Sequence, residues 1–213
     1  MPALRMLAFC DLHADGEAFD GLRMLAMNRD FDIAICAGDM TNRGPVSYAQ
    51  ELLELFGSKL YFVHGNMDNA PVVEMLRTKP GYLHGRKENI GEWNLVGIGG
   101  SNPTPFNTPS ELSEMQIGAI MENVGVDERT ILISHPPPKG IFDMVGNVNV
   151  GSEAVRTLIR EKKPLMVLCG HIHEHEGQKI VDETLVIKLG AAEQRRAAMI
   201  TIDEQMDVKF FSF

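Results

Sequence analysis

Five short polar motifs in this sequence contain side chains that bind divalent metal ions. In chain order they are Asp11-Leu12-His13, Gly38-Asp39, Gly65-Asn66-Met67-Asp68, His135-Pro136 and Gly170-His171-Ile172-His173. Their candidate oxygen and nitrogen ligands are Asp11, His13, Asp39, Asn66, His135, His171 and His173. This is about the number that two adjacent divalent ions require when positions for water stay open. The motifs therefore predict a dinuclear metal centre.

The ligand types indicate both the ions and the reaction. Carboxylate, imidazole and amide ligands without thiolates favour manganese, which is our first choice, or nickel, iron(II), zinc or cobalt. Two such ions turn a bridging water into a hydroxide nucleophile and neutralise charge on a phosphoryl oxygen. Asp39 is the natural bridging carboxylate because it is the sole ligand in its motif. We expect Asp39, Asn66 and His135 to be catalytic.

A further candidate for substrate binding is Arg43, which follows the Gly38-Asp39 motif closely. An arginine fork suits phosphate geometry, although this side chain could equally brace its own loop. Asn66 is also expected to contact substrate. The segments Ser101–Ser110 and Asp143–Gly151 are rich in loop-forming residues and are candidate substrate-facing loops.

The elements that position the motifs follow from the hydrophobic pattern. Predicted strands precede the five motifs, at Leu4–Cys10, Asp32–Ala37, Lys59–Val63, Thr130–Ser134 and Leu165–Cys169. Amphipathic stretches predict helices at Gly16–Asn28, at Val46–Phe56, from Asn69 to about Arg77, from Ser110 or Ser113 through Asn123, and at Ser152–Glu161. Alternation of strands and helices implies parallel pairing, which brings the motifs to one sheet edge. In extended segments, Asp11 and His13 would share one face, and so would His171 and His173.

Further strands are predicted at Trp93–Ile98, Lys179–Val181, Leu185–Lys188, Ala197–Ile202 and Val208–Phe211. No linker, repeat or low-complexity segment divides the chain, so we expect one domain over residues 1–213. The formal net charge of −9 disfavours duplex nucleic acid and anionic membranes as partners. No apolar run approaches the roughly 18 residues of a membrane span. We expect a cytoplasmic protein, with Cys10, Cys36 and Cys169 as buried apolar residues rather than thiol ligands or redox groups.

The ordered set of motifs resembles the calcineurin-like metallophosphoesterase superfamily, over essentially the whole chain. The stretches Gly151-Ser152-Glu153-Ala154 and Gly190-Ala191-Ala192 look like its small archaeal and bacterial phosphodiesterase-like members. The resemblance implies an α/β fold, a four-layer α-β-β-α sandwich with two central mixed β-sheets. It also implies two ligand sets. The first ion would be bound by Asp11, His13, Asp39 and His173, and the second by Asp39, Asn66, His135 and His171.

The sequence departs from this family at Met67. The usual motif has a histidine there, which donates a proton to the leaving alkoxide, and methionine has no proton to donate. The departure favours a diester or anhydride with a stable leaving group. Asp68, which orients the histidine in the family, is here interpreted as a local cap or turn residue.

These observations predict a dinuclear metal-dependent phosphodiesterase that acts on a phosphate-ester small molecule or a nucleotide. One alternative is a non-catalytic scaffold that keeps the fold for protein binding, which would have no need of seven convergent ligands. Another is a phosphomonoesterase in which His64 or His175 replaces the acid missing at Met67. The sequence leaves the physiological substrate and a homo-oligomeric state open.

Overall fold

The computed structural model describes residues 3–213, which contain five α-helices. They are α1 (Gly16–Asn28), α2 (Val46–Phe56), α3 (Ala70–Leu76), α4 (Glu114–Val124) and α5 (Glu153–Lys162). Four of them begin at a side chain that accepts a hydrogen bond from the first turn: Asp15 for α1, Asn69 for α3, Ser113 for α4 and Ser152 for α5. Ser113 forms a complete capping box with Gln116. Such caps satisfy amide groups that a helix cannot satisfy itself, so they fix where each helix begins.

Thirteen strands lie within the same described residues. They are β1 (Leu4–Phe9), β2 (Ile33–Cys36), β3 (Leu60–Phe62), β4 (Lys87–Ile90), β5 (Trp93–Ile98), β6 (Thr130–Ser134), β7 (Met144–Val145), β8 (Val148–Asn149), β9 (Met166–Cys169), β10 (Gly177–Val181), β11 (Thr184–Lys188), β12 (Arg196–Ile202) and β13 (Met206–Ser212). One sheet has the order β13-β12-β1-β2-β3, and the other has the order β10-β11-β9-β6-β5-β4. Strands β7 and β8 form a separate hairpin.

Both large sheets are mixed. In the first sheet, β1 pairs in parallel with β2 and antiparallel with β12, with Leu4 opposite Ile202. In the second sheet, β5, β6, β9 and β11 are parallel, whereas the edge strands β4 and β10 are antiparallel to their neighbours. Every residue of β2, β6 and β9 is buried. Strands buried in this way need a covering layer on each face of the sheet.

Successive side chains of a strand point to opposite faces of its sheet, so each sheet packs against one layer on each face. Met6 and Ile35 of the first sheet pack with Ile133 and Leu168 of the second in a core between the sheets. The opposite face of the first sheet packs on helices α1 to α3 through Leu7, Phe9, Leu22, Leu52 and Leu76. The opposite face of the second packs on α4 and α5 through Val96, Leu132, Val167, Ile117 and Ile159. The four-layer α-β-β-α sandwich with two central mixed sheets is therefore confirmed.

Two segments differ from the sequence prediction. Strand β4 was not predicted, because its polar sequence lies at a sheet edge and most of its residues contact solvent. The predicted loop Asp143–Gly151 contains the β7–β8 hairpin. Asp143 is buried there and accepts hydrogen bonds from the amides of Gly140 and Gly151 at 3.0 and 2.8 Å. The Asp143 carboxylate thus joins the first and last residues of the segment. Hydrophobic patterns in the sequence do not reveal this contact.

Two expectations from composition concern the core and the membrane. All three cysteines are buried and unbonded to one another, so they behave as core residues. No helix in residues 3–213 is long and apolar enough to cross a bilayer.

Candidate metal centre

The five polar motifs lie at the carboxyl ends of β1, β2, β3, β6 and β9, as predicted. Strands β1, β2 and β3 are parallel to one another in the first sheet, and β6 and β9 are parallel in the second. Their carboxyl ends therefore meet at one edge of the sandwich, where ligands collect in open α/β sheets.

Six of the seven predicted ligands form two groups at this edge. Within each group, the ligand atoms lie within 4.8 Å of one another. One group contains Asp11, His13 and His173, and the other contains Asp39, His135 and His171. Each offers one carboxylate and two imidazoles, a donor set that suits the divalent ions from manganese to zinc. The chemistry of the residues present therefore fits two bound metal ions.

Asp39 belongs to the second group and also faces a histidine of the first. Its Oδ2 atom is 3.8 Å from Nε2 of His13 in one group and 3.4 Å from Nε2 of His135 in the other. Its Oδ1 atom accepts a 2.7 Å hydrogen bond from the backbone amide of Met67. One carboxylate oxygen is thus oriented by protein, while the other faces histidines from both groups. This is the arrangement that a bridging carboxylate needs.

Asn66, the seventh predicted ligand, joins the group that contains His135. Its Oδ1 atom lies 2.9 Å from Nε2 of His135. The other ring nitrogen of His135 donates to the carbonyl of Ala37 at 2.8 Å. This bond fixes the orientation of a completely buried imidazole.

The conformation of the ligand loops differs from the extended one that the sequence suggested. Asp11, His13, Asp39 and His171 have positive φ angles of 54°, 49°, 49° and 73°. Non-glycine residues rarely adopt this region, and its cost is borne by surrounding structure, often at functional sites. Here the amides of Asp11 and Leu12 donate to the carbonyls of Gly38 and Asp39. His171 and His173 lie in different groups, so the extended conformation in which they would share one face is not the one present.

Two motif glycines are required by close approaches. Gly38 has a φ of +104°, and a Cβ atom there would come within 2.4 Å of Nδ1 of His135. A Cβ atom on Gly65 would come within 2.0 Å of Oδ1 of Asp39. Any larger residue would displace a candidate ligand, which explains why each motif has glycine at this point.

Asp68 organises the loops beneath the ligands. It is completely buried and accepts hydrogen bonds from the amides of Thr41 and Gly65, each at 2.8 Å, and from the Thr41 hydroxyl at 2.9 Å. Burial and the nearby charge of Asp39 raise its pKa to about 7 despite these bonds. Asp68 thus connects the loop that contains Asp39 to the loop that contains Asn66.

The electrostatics of the site shift the pKa values of His135 and His171 in opposite directions. Burial opposes protonation of His135, but the charge of Asp39 and its hydrogen bond raise the pKa to about 9. For His171, burial and the neighbouring charge of His135 lower the pKa to about 4. Burial would raise the pKa of Asp11, but contact with His173 and the charge of His135 lower it well below its ordinary value. The carboxylate of Asp11 is therefore stabilised in its ionised, metal-binding form.

The remaining candidates lie around this centre without joining either group. His64 is buried, and its Nδ1 atom is 2.9 Å from the Tyr82 hydroxyl. His175 donates from Nε2 to the carbonyl of Met144 at 2.8 Å, which connects the last motif to the β7–β8 hairpin. Arg43 is exposed, and its backbone amide donates to the carbonyl of Met67.

Two charged residues near the site were missed by the sequence analysis. Glu193 contacts Nδ1 of His173 at 3.0 Å from a turn that follows β11. Lys188 at the end of β11 is completely buried, and its ammonium donates to the carbonyl of Leu189 at 2.6 Å. Neither lies in a motif of recognisable spacing, so only the three-dimensional structure brings them to the ligands. A lysine inside an otherwise apolar strand was the single available signal.

Comparison with known proteins adds a family to this geometry. The family model described as calcineurin-like phosphoesterase matches residues 4–175. The chain is also 32% identical over 194 residues to an uncharacterized protein of Methanocaldococcus jannaschii, an alignment that covers 86% of this chain and 87% of that protein.

Solved structures share the fold at low sequence identity. A dimetal phosphatase from Danio rerio is 12% identical, with a TM-score of 0.63, over 100% of this chain and 97% of its own. A novel archaeal phosphodiesterase is 10% identical, with a TM-score of 0.57, over 98% of this chain and 100% of its own. At such identities the similarity establishes the fold alone, because one fold carries many activities.

Proposed function

Because this chain belongs to the calcineurin-like phosphoesterase family, we propose that it is a dinuclear metal-dependent phosphohydrolase that cleaves phosphodiesters. The observation that carries the proposal is the position of Asp39, whose Oδ2 atom faces His13 in one ligand group and His135 in the other. A carboxylate shared by two groups is what a pair of adjacent ions requires.

We assign all seven predicted ligands to two ions, with Asp39 shared. The first set is Asp11, His13, Asp39 and His173, and the second is Asp39, Asn66, His135 and His171. Bound divalent ions would lower the pKa of a shared water and neutralise charge on the phosphoryl group. Manganese is the first candidate, and nickel, iron, zinc and cobalt suit the same donors.

The protein itself contributes orientation and hydrogen bonding. The Met67 amide and the loops connected by Asp68 fix the carboxylate of Asp39 before substrate arrives. The Oδ1 atom of Asn66 contacts His135, which leaves its Nδ2 group able to donate to a phosphoryl oxygen. We also assign the exposed guanidinium of Arg43 to the phosphate, since arginine can bind two of its oxygens at once.

The side chain at position 67 supports a diester rather than a monoester substrate. Methionine has no proton to donate, so an alkoxide leaving group would depart without assistance from this position. His64 gives little support to a surrogate acid, because burial and the charge of His84 hold its pKa well below the ordinary value, and His175 uses its Nε2–H on the Met144 carbonyl. A substrate whose leaving group is stable as an anion needs no such acid.

Two loops next to the ligands are suited to contact the organic part of the substrate. Ser110 donates from its amide to the carbonyl of Asn66 and from its hydroxyl to that of Asp68, which attaches the loop 101–110 to the third motif. The β7–β8 hairpin is attached to the last motif through His175 and exposes Met144 and Val148. These apolar side chains suit an aromatic or aliphatic group on phosphorus.

The test is hydrolysis of bis-p-nitrophenyl phosphate beside p-nitrophenyl phosphate, with metal-stripped protein and added Mn²⁺, Ni²⁺ or Zn²⁺. We expect metal-restored cleavage of the diester, and we expect Asp39→Ala to reduce it by at least about 100-fold because both proposed ligand sets lose their shared carboxylate. Asp207→Ala removes an exposed carboxylate that pairs with Lys209 and serves as the matched control. Full activity in Asp39→Ala would rule out the assignment.

A further inference from the structure

Glu193 contacts a candidate ligand from outside the five motifs. It lies in the short turn Ala192–Gln194, between β11 and β12, and its Oε1 atom is 3.0 Å from Nδ1 of His173. The other ring nitrogen, Nε2, is 3.3 Å from Nε2 of His13 and 3.8 Å from Oδ1 of Asp11. The two nitrogens of His173 therefore face different partners, a carboxylate on one side and the ligand group on the other.

We propose that Glu193 is the positioning residue of the first ligand group. Its carboxylate accepts the Nδ1–H of His173 and so keeps the Nε2 lone pair directed at the site shared with Asp11 and His13. This inference rests on the proposed function in one respect, namely that the group binds a divalent ion.

The chemistry of imidazole explains why such a partner matters. A neutral histidine has one N–H, and the nitrogen that bears it cannot bind a metal ion. A carboxylate only accepts hydrogen bonds, so it selects the tautomer with the proton on Nδ1. The carboxylate also fixes the ring plane and makes Nε2 a stronger electron-pair donor to a metal ion. The side chain of His173 is 29% exposed, so packing alone does not fix this ring.

The backbone around Glu193 is hydrogen-bonded to the loop that contains Asp11. Its amide donates to the carbonyl of Asp11 at 3.1 Å, and the neighbouring amide of Ala192 donates to that of Cys10 at 2.8 Å. Arg195 donates to the carbonyl of Glu193 at 2.6 Å and pairs with Asp15, the residue that caps α1. The carboxylate is thus presented from a backbone held at both ends, which lowers the entropy lost on forming the contact.

A comparison with the second group shows what is particular to this one. There, Nδ1 of the fully buried His135 donates to a backbone carbonyl, that of Ala37. His173 instead depends on a side chain that lies beyond residues 4–175, the part of the chain that the family model matches. The support of His173 therefore comes from a side chain, which a substitution can remove, whereas that of His135 comes from the backbone.

The experiment compares Glu193→Ala and Glu193→Gln in the full-length protein, with Mn²⁺ binding measured by titration calorimetry. We expect Glu193→Ala to weaken one of two Mn²⁺ sites by about 10- to 100-fold and to leave the other unchanged. The amide oxygen of glutamine can accept the same hydrogen bond, so Glu193→Gln should stay within about threefold of the original protein. Glu204→Gln, an exposed residue in the turn before β13, is the control for the lost charge.

A second measurement reports on the imidazole without metal or catalysis. Nitrogen-15 NMR of the histidine rings at alkaline pH should show the Nδ1–H tautomer of His173 in the original protein and in Glu193→Gln, and a mixture of tautomers in Glu193→Ala. Unchanged Mn²⁺ binding and tautomer in Glu193→Ala would overturn the proposal, as would equal losses in both variants. Because neither readout needs a substrate, a failure to hydrolyse diesters would count against the proposed function alone.

Discussion

The proposed preference for diesters depends on a single residue, Met67. The backbone of Met67 binds Asp39 through its amide, which any residue except proline can supply. The side chain is where this sequence departs from the histidine that the family resemblance implies. A substitution here should therefore alter proton donation while leaving the bridging carboxylate oriented.

We expect Met67→His to increase turnover of alkyl phosphomonoesters by about tenfold or more, since a positioned general acid contributes roughly 10²–10⁴-fold. The measurement is steady-state hydrolysis of an alkyl monoester beside bis-p-nitrophenyl phosphate. Met115→His, a substitution at an exposed position on α4, is the matched control. No gain over the control would contradict the explanation given for Met67.

At this scale the sequence indicated which residues the fold brings together better than it indicated their conformations, and their role as metal ligands stays a prediction. Residue types and short motif spacings are local, so the seven candidates could be read directly and the structure brings them to one edge. The left-handed backbone conformations of His13 and His171 depend on contacts between distant loops, which motif spacing does not describe. For the same reason, Glu193 could not be recognised before the chain was folded.

Among the elements, the loop 101–110 depends on one carboxylate. Glu111 accepts hydrogen bonds from the hydroxyl groups of Thr104 and Thr108 and from the amide of Thr108. Burial alone would raise the pKa of Glu111, but these bonds lower it from an ordinary value of 4.5 to about 2. Its contribution to stability is therefore complete above the unfolded pKa and is lost as the pH falls through the folded one.

We expect thermal unfolding to show this loss between about pH 4.5 and pH 2, because protonation then removes the acceptor for the two threonines. The measurement is the melting temperature of the original protein and of Glu111→Gln over this pH range. The original protein should lose more stability than the variant, which lacks the titrating group. Glu122→Gln, at an exposed position on α4, is the control. Parallel curves of melting temperature against pH for Glu111→Gln and the original protein would contradict the prediction.

The β7–β8 hairpin allows a test of the substrate-facing surface. Val148 is 62% exposed in it, and a carboxylate at this position would repel a phosphodiester anion and remove an apolar contact. We expect Val148→Asp to raise KM for bis-p-nitrophenyl phosphate about tenfold with little change in kcat. Ile180→Asp introduces the same charge on β10, at an equally exposed apolar residue, and should leave KM unchanged. Equal effects of the two substitutions would contradict a role for the hairpin.

Amphipathic elements were predicted with accurate bounds, and polar ones were not. The predicted bounds of α1, α2 and β5 are confirmed, since each has a buried face with regular spacing and a clear start or stop. Strand β4 and the hairpin expose most of their residues, so no hydrophobic pattern marks them. Their pairing is determined by neighbouring strands and by Asp143, which the sequence does not place.

For the whole molecule, the ligand groups connect parts of the chain that are far apart in sequence. Bound ions should therefore stabilise the fold as a whole, because the unfolded chain cannot bring these ligands together. We expect added Mn²⁺ to raise the melting temperature of the metal-stripped protein. At a free Mn²⁺ concentration of 100 times the Kd, the folded state should gain about 2.7 kcal/mol of stability. Differential scanning calorimetry is the measurement.

The matched variants make this result specific. Asp39→Ala should lose most of the Mn²⁺-dependent stabilisation, since both proposed ligand sets lose their shared carboxylate, whereas Asp207→Ala should keep it. A stabilisation of equal size in Asp39→Ala would mean that Mn²⁺ binds elsewhere on this acidic protein.

The pairing of β1 with β12 has a consequence for biosynthesis. Strand β1 leaves the ribosome long before its antiparallel neighbour β12, in which Ile202 lies opposite Leu4. His173 likewise emerges long after Asp11 and His13, the residues with which it shares a ligand group. A nascent chain that stops before residue 173 therefore cannot form the first ligand group, and one that stops before β12 cannot form the first sheet. A metal ion held by the first group would then distinguish chains that have passed residue 173 from those that stalled before it.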